Sequence, residues 1–422
     1  MALYRAVYRW GAFNVAETTW LVNVKLETGN RMMDNGAVET ETALHTLKVV
    51  DGVIEEIHDA GSPVHMDGEQ IDMKGKLAVP PLKEMHNHLD KTYMTLDWKA
   101  VTPVANLKER LQHEAAELNE LAGSTETRAK KMIETLLGYG VTHIRTHVNI
   151  DPYIGLKNLE GVKAALQAYD GIVTHEIVAF PQHGLLRGEV PALMREAMRS
   201  GATIVGGLDP AGIDQSIERS LHEVMDIATE FDADVDIHLH DGGMVGYYTS
   251  DKWIDIVEDA GYRGRTALSH SFCLGDVPIG QQVKIAERLA AQDVAIMSTV
   301  PINLNRTLPP IELLDEHGVR VHFGCDGFYD SWSPYGTGDV LEKVTRFGEL
   351  NRKIEERALR QSLRFATNGV TPLNAQGERM WPLVKDKADF VFFDAASTAE
   401  VVARKPVDRC VMVKGKIVTP AL

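Results

Sequence analysis

The sequence has little of what disulfide-stabilised or membrane-spanning proteins need. Its three cysteines, Cys273, Cys325 and Cys410, are too few and too scattered in 422 residues for a disulfide framework, and none forms a C-x-x-C pair. We therefore expect reduced, mostly buried thiols. A membrane-spanning helix requires about 20 consecutive apolar residues, and no stretch of the sequence approaches this length.

Two further absences narrow the location and the partners. The N-terminal segment lacks the apolar core of a signal peptide, because Arg5, Arg9, Asn14 and Glu17 interrupt it. Basic residues are also scarce, since 44 Lys and Arg against 60 Asp and Glu give a formal charge of −16. Such a charge repels nucleic-acid backbones and anionic membranes. The sequence thus predicts a cytoplasmic protein with neither nucleic acid nor membrane as partner.

What the chain does contain is an ordinary globular composition with many histidines. Hydrophobic residues make up 44% and charged residues 25%, which suits a sizeable buried core. The sixteen histidines stand out against the few cysteines. Histidine is both the commonest metal ligand and the usual acid or base near neutral pH. The positions of these histidines along the predicted strands therefore bear directly on function.

Both ends of the chain are rich in strand-like segments. Residues 1 to about 77 contain alternating apolar runs with Asp51-Gly52 between two of them, which is a hairpin signal. Residues 380–422 return to the same texture, and Lys414-Gly415 indicates another hairpin. We predict that both termini form one small β-sandwich around a central domain.

The central domain, residues 78–379, alternates short apolar runs with longer amphipathic stretches. This alternation is typical of βα units around a parallel sheet. Eight strand candidates occur in order: LAVPPLKEMHNH, VTHIRTHVNI, IVTHEIVAFPQ, ATIVGGLDP, ADVDIHLHD, RTALSHSFC, VAIMSTVPI and VRVHFGCDG. The predicted fold is therefore α/β, a (β/α)₈ TIM-like barrel with a small β-sandwich formed by both termini.

Chemistry-bearing side chains recur where these strands end, which is the catalytic face of such a barrel. His86 and His88 are two residues apart on a strand, so they face the same side and can reach one metal. With His238 and Asp326 they form a ligand set that suits one Zn²⁺ or Fe²⁺ and leaves a position open for water. Asp326 is then the candidate base, and His270 a candidate hydrogen-bond partner of the water.

At this point the residues resemble a known family. The motifs MHNHLDKT, IRTHVNID, IVAFPQHG, IVGGLDPAG, DIHLHDGGMVGYY, LSHSFC and FGCDGFYDSWSPYGTGD are similar to those of the amidohydrolase superfamily, in its cytosine deaminase and N-isopropylammelide isopropylaminohydrolase-like branch. The resemblance covers nearly the whole chain. It implies a metal-dependent hydrolytic deaminase with one metal per chain, a small heterocyclic substrate such as a cytosine-like pyrimidine or an aminotriazine, and a homo-oligomer.

The resemblance also implies roles for four further residues. Asp241 matches the carboxylate that transfers a proton to the ring nitrogen, and Gln182 matches the amide that binds the lactam edge. Trp332 matches an aromatic wall of the pocket, and Lys91 matches a lysine of the triazine enzyme. Cytosine deaminases have Glu in place of Asp241 and a second acid in place of Gly327, where the triazine enzyme has Asn. These departures, and His183, leave the substrate open.

Several alternatives stay open at this level. A cyclic-amide hydrolase with two bridged metals is a rival enzyme, and a catalytically silent metal-binding or ligand-binding barrel is a rival from another class. His240 is an alternative ligand, and His147 either lines the pocket or supports a ligand. Lys91 also fits a solvated lysine, Trp332 a core aromatic and Asp209 a helix cap. The acidic stretch EAAELNE is interpreted as a solvated helix face.

Overall fold

The first part of the chain forms strands, as predicted. The computed structural model describes residues 17–419. The two ends of the predicted terminal β-domain, residues 1–16 and 420–422, lie outside the described residues. The same is true of nearly all of the N-terminal segment that lacks the apolar core of a signal peptide. The first five strands are β1 (Thr18–Met32), β2 (Val38–Val50), β3 (Val53–Asp59), β4 (Glu69–Asp72) and β5 (Leu77–Val79). Asp51 and Gly52 join β2 to β3 with φ of 50° and 78°. Positive φ at both positions is what a two-residue hairpin turn needs, so this hairpin prediction is confirmed.

The central strands form one parallel sheet in chain order. They are β6 (Leu82–Asn87), β7 (Val141–Asn149), β8 (Thr174–Phe180), β9 (Ile204–Leu208), β10 (Asp234–Leu239), β11 (Thr266–His270), β12 (Ala295–Ser298) and β13 (Val321–Phe323). A parallel bridge between Asn87 and Asp326 brings the last strand back to the first. The predicted (β/α)₈ barrel is confirmed.

The first barrel strand is shorter than predicted. The run of residues 77–88 divides into β5, which pairs with β1 in the terminal sheet, and β6, which pairs with β7 in the barrel. Pro80 and Pro81 lie between the two strands. Proline has no N–H to donate to a ladder, so the pair separates two strands that the apolar pattern merges. The predicted boundary between the domains at residues 77 and 78 thus falls inside β5.

Helices connect the barrel strands, and further helices follow the last of these strands. They are α1 (Leu107–Leu121), α2 (Thr125–Gly138), α3 (Lys157–Gln167), α4 (Val190–Arg199), α5 (Ile217–Phe231), α6 (Gly243–Asp259), α7 (Ile279–Ala291), α8 (Ile311–Glu316), α9 (Leu341–Leu350), α10 (Glu356–Ser362) and α11 (Thr398–Arg404). In α2, for example, Met132, Ile133 and Leu136 are spaced along one face and are fully buried in the main core. Within residues 17–419, no helix is long and apolar enough to span a bilayer.

The end of the chain completes the terminal sheet. Strands β14 (Phe390–Phe393), β15 (Arg409–Val413) and β16 (Lys416–Ile417) extend it, so β5 lies between β14 and β1. Lys414 and Gly415 form the second predicted hairpin, with φ of 50° and 75°. This sheet has its own core, which includes Leu21, Phe390 and Phe392. The three cysteines are buried and unpaired, as predicted.

The seam between β6 and β13 is held by a buried carboxylate as well as by the backbone. Asp326 N donates to His86 O at 2.8 Å. Glu84 accepts from His86 N at 3.0 Å and from Cys325 N at 2.9 Å, and burial raises the pKa of Glu84 to about 7. A Cβ at Gly324 would lie 2.4 Å from His86 N, so only glycine allows this approach. The seam places the first and last strand ends side by side.

His322, on β13, is expected to make the fold sensitive to acid. Burial lowers the pKa of His322 to about 3 from an ordinary value near 6.5. A depressed histidine pKa stabilises the fold above pH 6.5, and this stabilisation is lost as the pH falls towards 3, because the unfolded chain takes up the proton first. We expect the free energy of unfolding to drop by about 2 kcal/mol more in the wild type than in His322→Gln between pH 7 and pH 5.

Urea titrations of both proteins at the two pH values measure this difference. His113, which is exposed on α1, offers a matched control, and His113→Gln should follow the wild type. Equal pH dependence of wild type and His322→Gln would contradict the prediction.

Candidate metal centre and substrate pocket

Six potential ligands and proton carriers converge at the carboxyl ends of the barrel strands. They are His86, His88, His147, His238, His270 and Asp326. The ring centroids of His86 and His238 are 4.6 Å apart, and those of His86 and His270 are 4.7 Å apart. The side chain of Asp326 remains 38% exposed. The cluster therefore opens to solvent beside Asp326.

The hydrogen bonds of the H-x-H histidines leave one nitrogen of each ring uncommitted. His86 Nδ1 lies 2.9 Å from Ser269 Oγ, and Ser269 gives its own hydrogen to Asp236 Oδ1 at 2.6 Å. His86 Nδ1 must therefore carry the proton and donate, which leaves a lone pair on Nε2. His88 Nδ1 lies 3.1 Å from the carbonyl oxygen of His147, which fixes the same tautomer. Such bonds orient imidazoles for metal binding.

The donor atoms fall into two groups that share His86. One group is His86, His147 and His238, the other is His86, His88 and Asp326, and within each the ligand atoms lie within 4.8 Å of one another. Several of these nitrogens are buried without a partner among the described residues, including His86 Nε2 and both nitrogens of His147 and His238. Buried lone pairs without donors fit a cation. The four predicted ligands all belong to the cluster, and His147 joins them.

The protonation states of these side chains also favour metal binding. Burial lowers the pKa of His86 to about 3 and the pKa of His238 well below its usual range, so these imidazoles are neutral. Burial raises the pKa of Asp326, but the neighbouring imidazoles of His88 and His270 outweigh this effect, and the pKa of Asp326 lies well below the usual range. A carboxylate beside neutral imidazoles is the protonation state that a divalent metal requires.

The backbone is strained at two of these positions. His270 and Asp326 adopt φ of 67° and 66°, a left-handed region that residues other than glycine seldom occupy. Asp326 Oδ2 lies 4.0 Å from His270 Nε2, and Asp326 Oδ1 lies 3.4 Å from His88 Nε2. The strain is tolerated because the surrounding strands hold both residues, and it aims their side chains at one point.

Asp241 lies apart from the cluster. Its carboxylate accepts from Ala211 N and Gly212 N, both at 3.0 Å, and in the described part of the chain no hydrogen bond or ion pair joins it to the six residues. Its neighbour His240 is closer, with its ring stacked 4.2 Å from that of His270. Asp209 lies 3.0 Å from His240 Nδ1, so it pairs with this histidine, and the prediction of a helix cap is wrong.

The three predicted binding residues meet beside the cluster. Lys91 is 4% exposed, so the alternative of a solvated lysine is wrong. Its ammonium group donates to Gln182 Oε1 at 2.5 Å and lies 5.7 Å from the ring centroid of Trp332. It also lies 5.4 Å from the ring centroid of Phe180, which stacks on His238 at 4.1 Å. Trp332 is 39% exposed, so the alternative of a core aromatic is wrong.

The sequence interpretation missed Glu114, the first residue of the stretch EAAELNE. Glu114 is fully buried, lies 3.0 Å from the Lys91 ammonium, and accepts from Trp332 Nε1 at 2.8 Å. The solvated-face prediction is therefore wrong at this position. A signal was present, because Leu111 and Leu118 mark the buried face of α1 and Glu114 lies on that face.

Gly327 makes room for another buried acid. A Cβ at Gly327 would lie 2.2 Å from Asp330 Oδ2, so a side chain there would displace this carboxylate. Asp330 is 1% exposed, and its Oδ1 accepts from Trp332 N at 2.8 Å and from Ser333 N at 3.0 Å. Burial raises the pKa of Asp330 to about 6. The departure at Gly327 is thus coupled to a carboxylate three residues later.

Comparison with known proteins gives consistent matches over most of the chain. The sequence model described as "Amidohydrolase family" matches residues 69–419. The Escherichia coli (strain K12) protein named "Uncharacterized protein YahJ" is 40% identical over 404 residues, covering 94% of this chain and 87% of that protein. N-isopropylammelide isopropyl amidohydrolase of Pseudomonas sp. (strain ADP) is 28% identical over 374 residues, covering 83% and 88%. The crystal structure of N-isopropylammelide isopropylaminohydrolase from Burkholderia multivorans superposes with a TM-score of 0.83 at 29% identity, covering 95% of this chain and 98% of that one.

Proposed function

Because the chain belongs to the amidohydrolase family, we propose that it is a metal-dependent hydrolase that removes an amino or alkylamino group from a small heterocycle. A cytosine-like pyrimidine or an aminotriazine is the proposed substrate class, and ammonia or an alkylamine is the product. The observation that carries the proposal is the contact between the two halves of the site. Phe180 stacks on His238 of the histidine cluster and also lies under Lys91 of the Lys91, Gln182 and Trp332 pocket.

The proposed metal ligands are His86, His88, His238 and Asp326, holding one Zn²⁺ or Fe²⁺ per chain. Three imidazoles and one carboxylate suit either ion. When bound, such an ion supplies a water of lowered pKa for attack on an sp² carbon. The free Nε2 of His86 and of His238 and the ionised Asp326 are the support for this assignment.

We assign the proton transfers to Asp326 and Asp241, and a supporting hydrogen bond to His270. Asp326 takes the proton from the attacking water, and His270, 4.0 Å from its Oδ2, hydrogen-bonds the oxygen as negative charge develops. Asp241 protonates the ring nitrogen next to the attacked carbon, which requires its carboxylate to leave the amides of Ala211 and Gly212 for the substrate. Burial and the charge of Asp209 raise the pKa of Asp241, which favours the protonated acid.

The roles proposed for the binding residues follow from the hydrogen-bonding groups and surfaces that these residues leave available for a ligand. Gln182 Oε1 already accepts from Lys91, so the Gln182 side-chain NH₂ is left to donate to a carbonyl oxygen of the ring. Trp332 offers a flat, partly exposed surface for stacking on a planar heterocycle. Lys91 keeps its charge, because although burial lowers its pKa, Glu114 and the neighbouring acids raise it further. Together these residues fit a planar ring that carries a carbonyl group.

Amine release measured together with metal content tests the proposal. We expect turnover on at least one member of a panel of aminopyrimidines, aminopurines, pterins and aminotriazines, with about one metal ion per chain. Removal of the metal by a chelator should abolish turnover, and Zn²⁺ or Fe²⁺ should restore it. No amine release from any panel member, with about two metals per chain, would contradict the proposal and favour cyclic-amide hydrolysis.

A further inference from the structure

Several buried acids lie near Lys91 or near His183, and none of them has yet been given a part in substrate binding. Glu114 is 0% exposed, Asp151 is 1% exposed and Asp330 is 1% exposed. Asp151 follows β7 and faces His183, whose Nε2 is 3.8 Å from Asp151 Oδ2. Burial raises the pKa of Asp151, and the charge of Glu114 adds to this. Gln182, the neighbour of His183 in the chain, accepts from Lys91, which in turn pairs with Glu114, so a continuous series of contacts links Asp151 to Glu114 at this end of the barrel.

Two of these carboxylates use only one oxygen to hold the structure. Glu114 Oε1 accepts from Lys91 and from Trp332. Asp151 Oδ1 accepts from Tyr153 N at 2.9 Å and from Ile154 N at 3.3 Å. The other oxygen of each, Glu114 Oε2 and Asp151 Oδ2, is buried and has no hydrogen-bond partner among the described residues. Each carboxylate thus presents a free acceptor inside the protein.

The charged groups around these two oxygens indicate which kind of ligand group would pair with them. The ammonium of Lys91 is shared between Gln182 and Glu114, so it does not neutralise Asp151. Burial lowers the pKa of His183 despite the charge of Asp151, so His183 does not supply a full positive charge either. Burying a carboxylate oxygen without a hydrogen-bond donor costs free energy, and a ligand N–H that donated to this oxygen would remove the cost. A ligand carbonyl there would instead be repelled.

We propose that Glu114 and Asp151 form a second recognition subsite, which selects heterocycles carrying an N–H donor group in addition to the amine that is removed. This inference rests on the proposed function and sharpens it. A diamino or aminoimino heterocycle fits the subsite, whereas a ring with a carbonyl group at the same position leaves both acceptors unpaired. Discrimination of this kind is strong because it leaves buried polar groups without partners.

The experiment compares two triazines that differ in one substituent. One carries two amino groups and one oxo group, and the other carries one amino group and two oxo groups. We expect the wild type to prefer the diamino compound in kcat/KM. In Asp151→Asn this preference should fall about tenfold or more, mainly through KM, because asparagine keeps one oxygen for the backbone amides and loses the charged acceptor. Glu114→Gln should act in the same direction.

Asp214→Asn is the matched control. Asp214 is a partly buried carboxylate that follows β9, and both of its oxygens are occupied, one by Leu186 N at 3.1 Å and one by Ser220 Oγ at 2.6 Å. This variant should keep the wild-type preference. If Asp151→Asn and Glu114→Gln weaken turnover of both triazines equally, the two acids only hold the pocket together and the subsite is overturned.

Calorimetric binding of the same two triazines separates this inference from the proposed function. If no member of the amine-release panel is turned over, but the wild type binds the diamino triazine more tightly and Asp151→Asn does not, the subsite stands and the proposed reaction fails. Equal binding of both compounds by the wild type, or binding of neither, overturns the subsite. Amine release without any preference between the triazines also overturns the subsite and leaves the proposed reaction intact.

Discussion

Asp326→Asn is expected to lower kcat for amine release by about 10²–10⁴-fold, the range for a positioned acid or base. Asparagine has the same shape but cannot accept a proton at neutral pH, and it is a weaker metal ligand than a carboxylate. The fold should persist, because the backbone bond from Asp326 N to His86 O does not involve the side chain. Steady-state kinetics, metal analysis and thermal unfolding of the same preparation measure the three effects.

Asp214→Asn again serves as the control for Asp326→Asn, since it makes the same chemical change away from the cluster. It should leave kcat and metal content unchanged. Turnover close to that of the wild type in Asp326→Asn, with metal still bound, would remove Asp326 from the proposed proton transfer.

The largest stability effect is expected at the ion pair between Arg409 and Asp339. Arg409 lies on β15 of the terminal sheet and Asp339 lies just before α9 of the barrel. They are 3% and 5% exposed, and the two arms of the guanidinium donate to the two carboxylate oxygens at 2.9 Å and 2.5 Å. Asp339→Ala leaves a buried, uncompensated charge, so the free energy of unfolding should fall by about 3–5 kcal/mol.

Equilibrium unfolding in urea measures the effect of Asp339→Ala. The exposed pair of Arg31 and Glu39, at 2.7 Å, offers a control, because solvent screens such pairs; Glu39→Ala should cause no measurable change. A loss below about 1 kcal/mol in Asp339→Ala would mean that the buried pair contributes no more than an exposed one.

The barrel and the clustering of most of the proposed ligands could be predicted because both depend on local sequence patterns. Alternating strand-like and amphipathic segments define βα units, and the order of the units fixes the order of the parallel strands. The H-x-H spacing of His86 and His88 places two imidazoles on one face of a strand without any knowledge of the fold. Asp51-Gly52 and Lys414-Gly415 likewise specify their turns by themselves.

The buried acids of the candidate pocket and the surroundings of Asp241 could not be predicted in the same way. Glu114 contacts Lys91 and Trp332, which lie 23 and 218 positions away in the chain, so its burial depends on tertiary contacts rather than on the charge pattern of α1. Asp330 fills space that exists only because residue 327 is glycine. The position of Asp241 depends on two backbone amides after β9, which no sequence pattern reveals.

If the proposed ligands hold an ion, the seam between β6 and β13 couples metal binding to closure of the cylinder. His86 and His88 belong to one side of the seam and Asp326 to the other, joined there by one bridge and by the carboxylate of Glu84. An ion bound by all three side chains would lose ligands if the seam opened, so its binding free energy adds to the free energy that keeps the cylinder shut. Removal of such an ion would therefore weaken the structure at the point where the chain's first and last barrel strands meet.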